Sequence, residues 1–119
     1  MKYKWLETTI IELPQGWKEV FRAFCEEIDK WYQKQTQEVK DDFRAIVIKE
    51  KYGDFMPYFN KQYEKIQKIV DKYVALARRT CAYCGARANY VATGYIEPVC
   101  EPCSHRRHID CVKIESSPE

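Results

Sequence analysis

Cys81-Ala82-Tyr83-Cys84-Gly85 and, downstream, Cys100-Glu101-Pro102-Cys103 form two C-x2-C pairs, and their reading decides the fold. Each pair can bring two thiolates within about 2.3 Å of one ion, and four together complete a tetrahedral all-sulfur shell for Zn2+. The spacing therefore predicts one structural zinc, held by Cys81, Cys84, Cys100 and Cys103. A redox dithiol is the alternative for a single pair, but two pairs around a short hairpin fit a closed metal site better. Four protein ligands leave no coordination position for a substrate. The feature thus predicts a folding module and argues against metal catalysis.

Reading outward, Gly85 follows the first pair, where a positive φ lets backbone N–H groups turn toward the sulfurs of a knuckle. Residues 88–92 and 95–99, hinged at Thr93-Gly94, read as a hairpin between the pairs. After Cys100 the sequence has helical character, with Pro102 in the first turn, where a missing N–H is harmless. Knuckle, hairpin and a helix opening on the second pair describe a treble clef; a zinc ribbon has similar ligand spacing. His105, His108 and Cys111 follow at three-residue intervals. They are candidates for a second metal or catalytic site on one helical face, against the plainer reading of surface histidines and a packed thiol.

Upstream of the finger, Phe59, Tyr63, Ile66, Val70, Tyr73, Val74 and Ala77 keep helical spacing and predict a helix over 60–79 that runs straight into Cys81. Trp17, Val20, Phe21, Phe24, Cys25, Ile28, Trp31 and Tyr32 form a second apolar stripe, predicting a helix over 17–35. The stripe reads as core, with Cys25 a small buried hydrophobe. Between them the β-branched run in 43–49 reads as a strand, Gly53-Asp54 as a turn, and 55–59 as a return strand confined to an edge by Pro57. Residues 1–15 read as an ordered arm, and 33–42 as a polar connection. The expected fold is α+β: two amphipathic helices flanking a short β-hairpin, followed by a four-cysteine treble-clef or zinc-ribbon-like finger. Residues 1–79 would form the body, 80–113 the finger and 114–119 a disordered tail. Phe24, Ile28, Ile66 and Val70 are expected at the centre of the body.

A chain of 119 residues holds one modest core plus an appended module. Its net charge of +2 is far from that of a typical nucleic-acid binder. Locally, however, Arg78, Arg79, Arg87, Arg106 and Arg107 face only Glu97 and Glu101 between Arg78 and His108. These arginines, with Tyr83, Tyr90 and Tyr95 to stack on bases or anchor a protein, form the candidate binding surface. Met1 to Pro14 carries charges that break any secretory signal, and no apolar run approaches the roughly 20 residues of a membrane span. A reducing bacterial cytoplasm is expected, with no membrane and no small-molecule substrate. Catalytic patterns are thin. There is no phosphate loop, no G-x-S-x-G and no H-E-x-x-H. Nuclease fingers need a histidine ahead of the first pair, and none precedes Cys81.

The order Leu13-Pro14-Gln15-Gly16-Trp17, Ile48-Lys49-Glu50-Lys51-Tyr52-Gly53, Cys81-x2-Cys84-Gly85 and Cys100-x2-Cys103 resembles a group of small zinc-finger proteins common in bacteriophages and prophages. Those share a Gly-Trp opening a helix, a K-E-K-[FY]-G segment and a C-x2-C-G finger. After Gly53 the group often continues Gly-Leu-Arg-Phe-Tyr, whereas here Asp54-Phe55-Met56-Pro57-Tyr58 follows. The resemblance implies a phage or mobile-element accessory protein, in a setting where small proteins bind and disable host enzymes, including CRISPR nucleases. It supplies no catalytic residue. The leading expectation is a non-enzymatic partner of a host or defence protein. The alternatives are nucleic-acid binding through the finger, or a transcription regulator, although the β-branched run at 45–48 opposes the long helical hairpin that such a regulator needs.

Overall fold

The computed structural model describes residues 3–114 as a mixed α+β structure with four α-helices and two three-stranded sheets. The chain enters through a 3-10 turn at Lys4–Leu6 that buries Trp5 completely. The Trp5 indole N–H donates to Asp29 at 3.1 Å, so the arm is anchored on the first helix. Strand β1 (Ile10–Glu12) follows, and a second 3-10 turn, Gln15–Trp17, leads into α1 (Lys18–Gln33). The apolar stripe of α1 is the core: Val20, Phe24, Cys25, Ile28 and Tyr32 are all buried.

Helix α3 (Glu64–Arg78) packs against α1 and buries Ile66, Ile69, Tyr73 and Ala77 in the body core. The Phe24 ring meets Tyr73 edge-on at 5.7 Å and Phe55 edge-on at 5.0 Å. Edge-to-face pairs of this kind add about 1 kcal/mol each beyond area burial. Val70, expected at the centre, is only half-buried, and Ile69 takes the inward position. The reason is the roll of α3: its inward face runs through 66, 69, 73 and 77, which leaves Val70 on the flank that borders an open cleft beside the sheet.

Between α1 and α3 lie β2 (Ala45–Lys51) and β3 (Asp54–Phe59), paired antiparallel from Lys51↔Asp54. The two-residue loop Tyr52-Gly53 has φ of 52° and 84°, the backbone signature of the primed turns whose twist suits a hairpin. Pro57 sits on β3, an edge strand, as a residue without an N–H must. The arm is more than a packing segment. β1 pairs parallel with β2 in the register Ile10↔Val47, converting the expected hairpin into a three-stranded sheet of order β1-β2-β3. The polar connection also contains a short helix, α2 (Gln37–Asp42), whose N-cap Thr36 accepts a hydrogen bond from the Val39 amide at 3.3 Å.

The finger carries its own sheet, β4 (Tyr90–Ala92), β5 (Pro98–Val99) and β6 (Cys111–Lys113), in the order β5-β4-β6, with α4 (Glu101–Arg106) between β5 and β6. The expected hairpin is present with shorter strands, Tyr90↔Val99 and Val91↔Pro98. Strand β6 is an addition that closes the other side of β4. Ile114, assigned to a disordered tail by sequence, donates its amide to the Asn89 carbonyl at 2.8 Å; residues 115–119 of that tail lie outside the described residues. Buried side chains divide into two clusters, one in the body from Trp5 to Ala77 and one in the finger around Cys81, Ala88, Ala92, Val99, Cys100 and Cys103.

Candidate metal centre and the seams that hold it

Cys81 and Cys84 lie on the turn that leaves α3, and Cys100 caps the N-terminus of α4 with Cys103 one turn inside. Their four sulfurs all lie within 4.8 Å of one another, and Cys84 Sγ is 3.6 Å from Cys100 Sγ. Sulfurs at about 2.3 Å from a tetrahedral ion stand about 3.8 Å apart, so the cluster has the dimensions of a metal site. None of the four is in a disulfide. Gly85 has φ 85°, and the Ala86 amide donates to Cys84 Sγ at 3.4 Å. This is the knuckle geometry in which backbone dipoles support thiolate charge.

The electrostatics agree with that role. Burial pushes the Cys81 thiol up, but hydrogen bonds from the backbone at Cys84, Cys100 and Tyr83 outweigh it and bring Cys81 down to about 7. Burial and the neighbouring thiols push Cys103 up to about 12, and burial raises Cys100 as well. The Cys81 thiolate forms easily, whereas Cys100 and Cys103 need a cation beside them to ionise. A divalent ion with an affinity for sulfur supplies that charge, and the donor set fits it.

Two seams fix the finger to the body. At the first, the Gly16 amide donates to the Ala82 carbonyl at 2.9 Å, and the Trp17 indole N–H donates to the Thr80 carbonyl at 3.0 Å. A Cβ on Gly16 would stand 2.0 Å from the Cys81 carbonyl oxygen, and one on Gly85 would stand 2.9 Å from the Gly16 carbonyl oxygen. Two glycines thus face each other because backbone meets backbone. At the second seam, one Glu50 oxygen accepts from the Gly53 amide at 2.8 Å and the other from the Tyr95 hydroxyl at 2.6 Å. The carboxylate closes the β2–β3 turn and ties it to the finger loop in one stroke. From the sequence Gly16 reads as the end of the arm, Trp17 as part of the apolar stripe and Gly53 as a turn residue, and the spacing of these residues and Glu50 gives no sign that they meet the finger.

The candidate surface residues are distributed rather than gathered. Arg78 is ion-paired with Asp54 at 2.7 Å, beside Arg79 at the second seam. The Arg107 guanidinium lies over the Tyr83 ring at 4.2 Å, while the Tyr83 hydroxyl donates to Glu97. Arg87 forms a backbone bridge with Thr80, and Arg106 ends α4 with an exposed side chain. Tyr90 donates to Glu101 at 3.3 Å, and Tyr95 is 61% exposed. For His105, His108 and Cys111 the plainer reading holds: the histidines are exposed and Cys111 packs against the finger cluster. α4 stops at Arg106, His108 turns the chain at φ 53°, and Cys111 lies in β6, so the three do not share a helical face. Among the described residues, the four cysteines are the one group with metal-binding geometry.

No protein-family model, curated protein or solved structure matches the chain. No described helix is long and apolar enough to cross a membrane.

Proposed function

We propose that the chain is a non-enzymatic accessory protein of a phage or mobile element that binds one Zn2+ through Cys81, Cys84, Cys100 and Cys103 and acts by gripping a host or defence protein, a CRISPR nuclease being one such target. The finger is read as a treble clef: a knuckle at 81–85, the β4–β5 hairpin, and a helix opening on the second pair. An ion with four sulfur ligands organises the scaffold and leaves chemistry to no one. The observation that carries the reading is the double seam. It presents Tyr95, Ile96 and Tyr52, at 61%, 48% and 70% exposure, beside basic side chains on a locked framework. Rigid exposed tyrosines and arginines are the residues that anchor protein interfaces. The nucleic-acid alternative is weakened because Arg78 and Arg107 already have partners within the chain.

The test is affinity purification of the full chain from bacterial lysate over a salt series. A stoichiometric protein partner, retained at high salt, is the expected result. Recovery of nucleic acid alone, lost steeply with salt and abolished by Arg106→Ala with Arg107→Ala, would replace this reading with the alternative.

A further inference from the structure

The second seam leaves a cleft of 430 Å³ between the β2–β3 turn, the end of α3 and the finger sheet. Its walls are apolar: Val91, Ile96, Pro98, Ile114 and Tyr52. Its rim is basic. Arg78, Arg79 and Lys113 border it against the single carboxylate of Asp54, which Arg78 already holds. Among the described residues neither Arg79 nor Lys113 has an ion-pair partner.

Tyr52 is the unusual member. Its φ of 52° lies in the left-handed region, which the first loop position of this hairpin demands and which glycine, asparagine or aspartate would occupy with less strain. A tyrosine is held there with 70% of its surface in water. Strained residues persist where the surrounding structure over-determines them, and here the Glu50 carboxylate bonded to Gly53 and Tyr95 supplies that constraint. A backbone fixed in a two-residue loop has little freedom left to lose on binding.

We infer that this cleft is a docking site for an acidic peptide segment of a partner protein, with a large apolar side chain seated between Tyr52 and Ile96 and flanking carboxylates on Arg79 and Lys113. The inference rests on the protein-binding reading above and specifies where and how that binding occurs. Charge complementarity selects the occupant: an apolar floor rejects a phosphate backbone, while rim cations that have no ion-pair partner among the described residues attract carboxylates.

The experiment is selection of a library of random linear peptides on the full metal-loaded chain, followed by calorimetric titration of the recovered peptides. The expected consensus is an aromatic or large aliphatic residue flanked by Asp or Glu. Affinity should fall about tenfold with Lys113→Glu and with Tyr52→Gly. Tyr52→Gly also removes the left-handed strain, so its thermal midpoint should hold or rise while binding is lost. A structural role alone would not give that combination. A consensus without acidic residues, equal binding to both variants, or displacement of the peptides by oligothymidine would overturn the assignment. A lysate partner that both variants capture as well as the parent would leave the protein-binding reading standing and reject this cleft alone.

Discussion

Gly16 is the residue with the least freedom to change. The atoms that a side chain would meet are the Cys81 and Ala82 backbone, at 2.0 to 2.8 Å, and neither can swing aside as a flexible side chain would. Gly16→Ala should destabilise the protein by about 3 kcal/mol, read as a lowered denaturant midpoint; an unchanged midpoint would show that the seam yields. Glu27 offers a second single-residue test. Its hydrogen bond from Lys72, assisted by the Tyr73 hydroxyl, holds the carboxyl below its ordinary 4.5. A depressed value in the folded state means that the contribution is fully present above 4.5 and is lost as pH falls through the folded value. The thermal midpoint of Glu27→Gln should therefore decline less steeply than that of the parent as acid is added below pH 4.5.

At the scale of elements, the finger should depend on its third cysteine as much as on its first. Cys100→Ser removes one thiolate from the cluster while leaving a good N-cap residue at the start of α4, so the loss it reads is that of the sulfur. Zinc content by elemental analysis should fall well below one equivalent, and the finger should unfold, since structural zinc contributes on the order of 10 kcal/mol to such modules. The elements that could be read directly from sequence are those long enough to repeat a pattern. α1 and α3 show their stripes over several turns, and β2 declares itself through Ile46-Val47-Ile48. β1, β6 and α2 could not be read that way. Three to six residues hold less than two periods; β1 and β6 exist because of a distant partner, Val47 for Ile10 and Tyr90 for Lys113, and α2 is held by its own cap, Thr36, and by the Tyr32 hydroxyl on the Lys40 carbonyl. The cysteine cluster was legible because sulfur chemistry restricts spacing; the seams were not, because Gly16 and Glu50 act across long stretches of chain. The exchange of Val70 for Ile69 has the same origin, since a helix stripe fixes a face only to within about one position, each residue turning it by roughly 100°.

Taken whole, the molecule is two apolar cores joined by hydrogen bonds at two seams. The first seam runs through Thr80, whose carbonyl accepts from the Trp17 indole one residue before the first cysteine of the cluster, Cys81. The Trp17 ring is itself fully buried and meets Phe55 edge-on at 6.3 Å, so its far side rests on the body. The same indole should therefore serve as an optical gauge of a metal ion held by the four cysteines. Chelation that slackens Cys81 should free the Thr80 carbonyl, admit water to the indole N–H and shift tryptophan emission to longer wavelength, in step with metal release and ahead of any loss of helical circular dichroism. Trp17→Phe should abolish the shift while Trp5 and Trp31 continue to emit, giving a solution assay in which the protein reports its own occupancy without a dye or a partner.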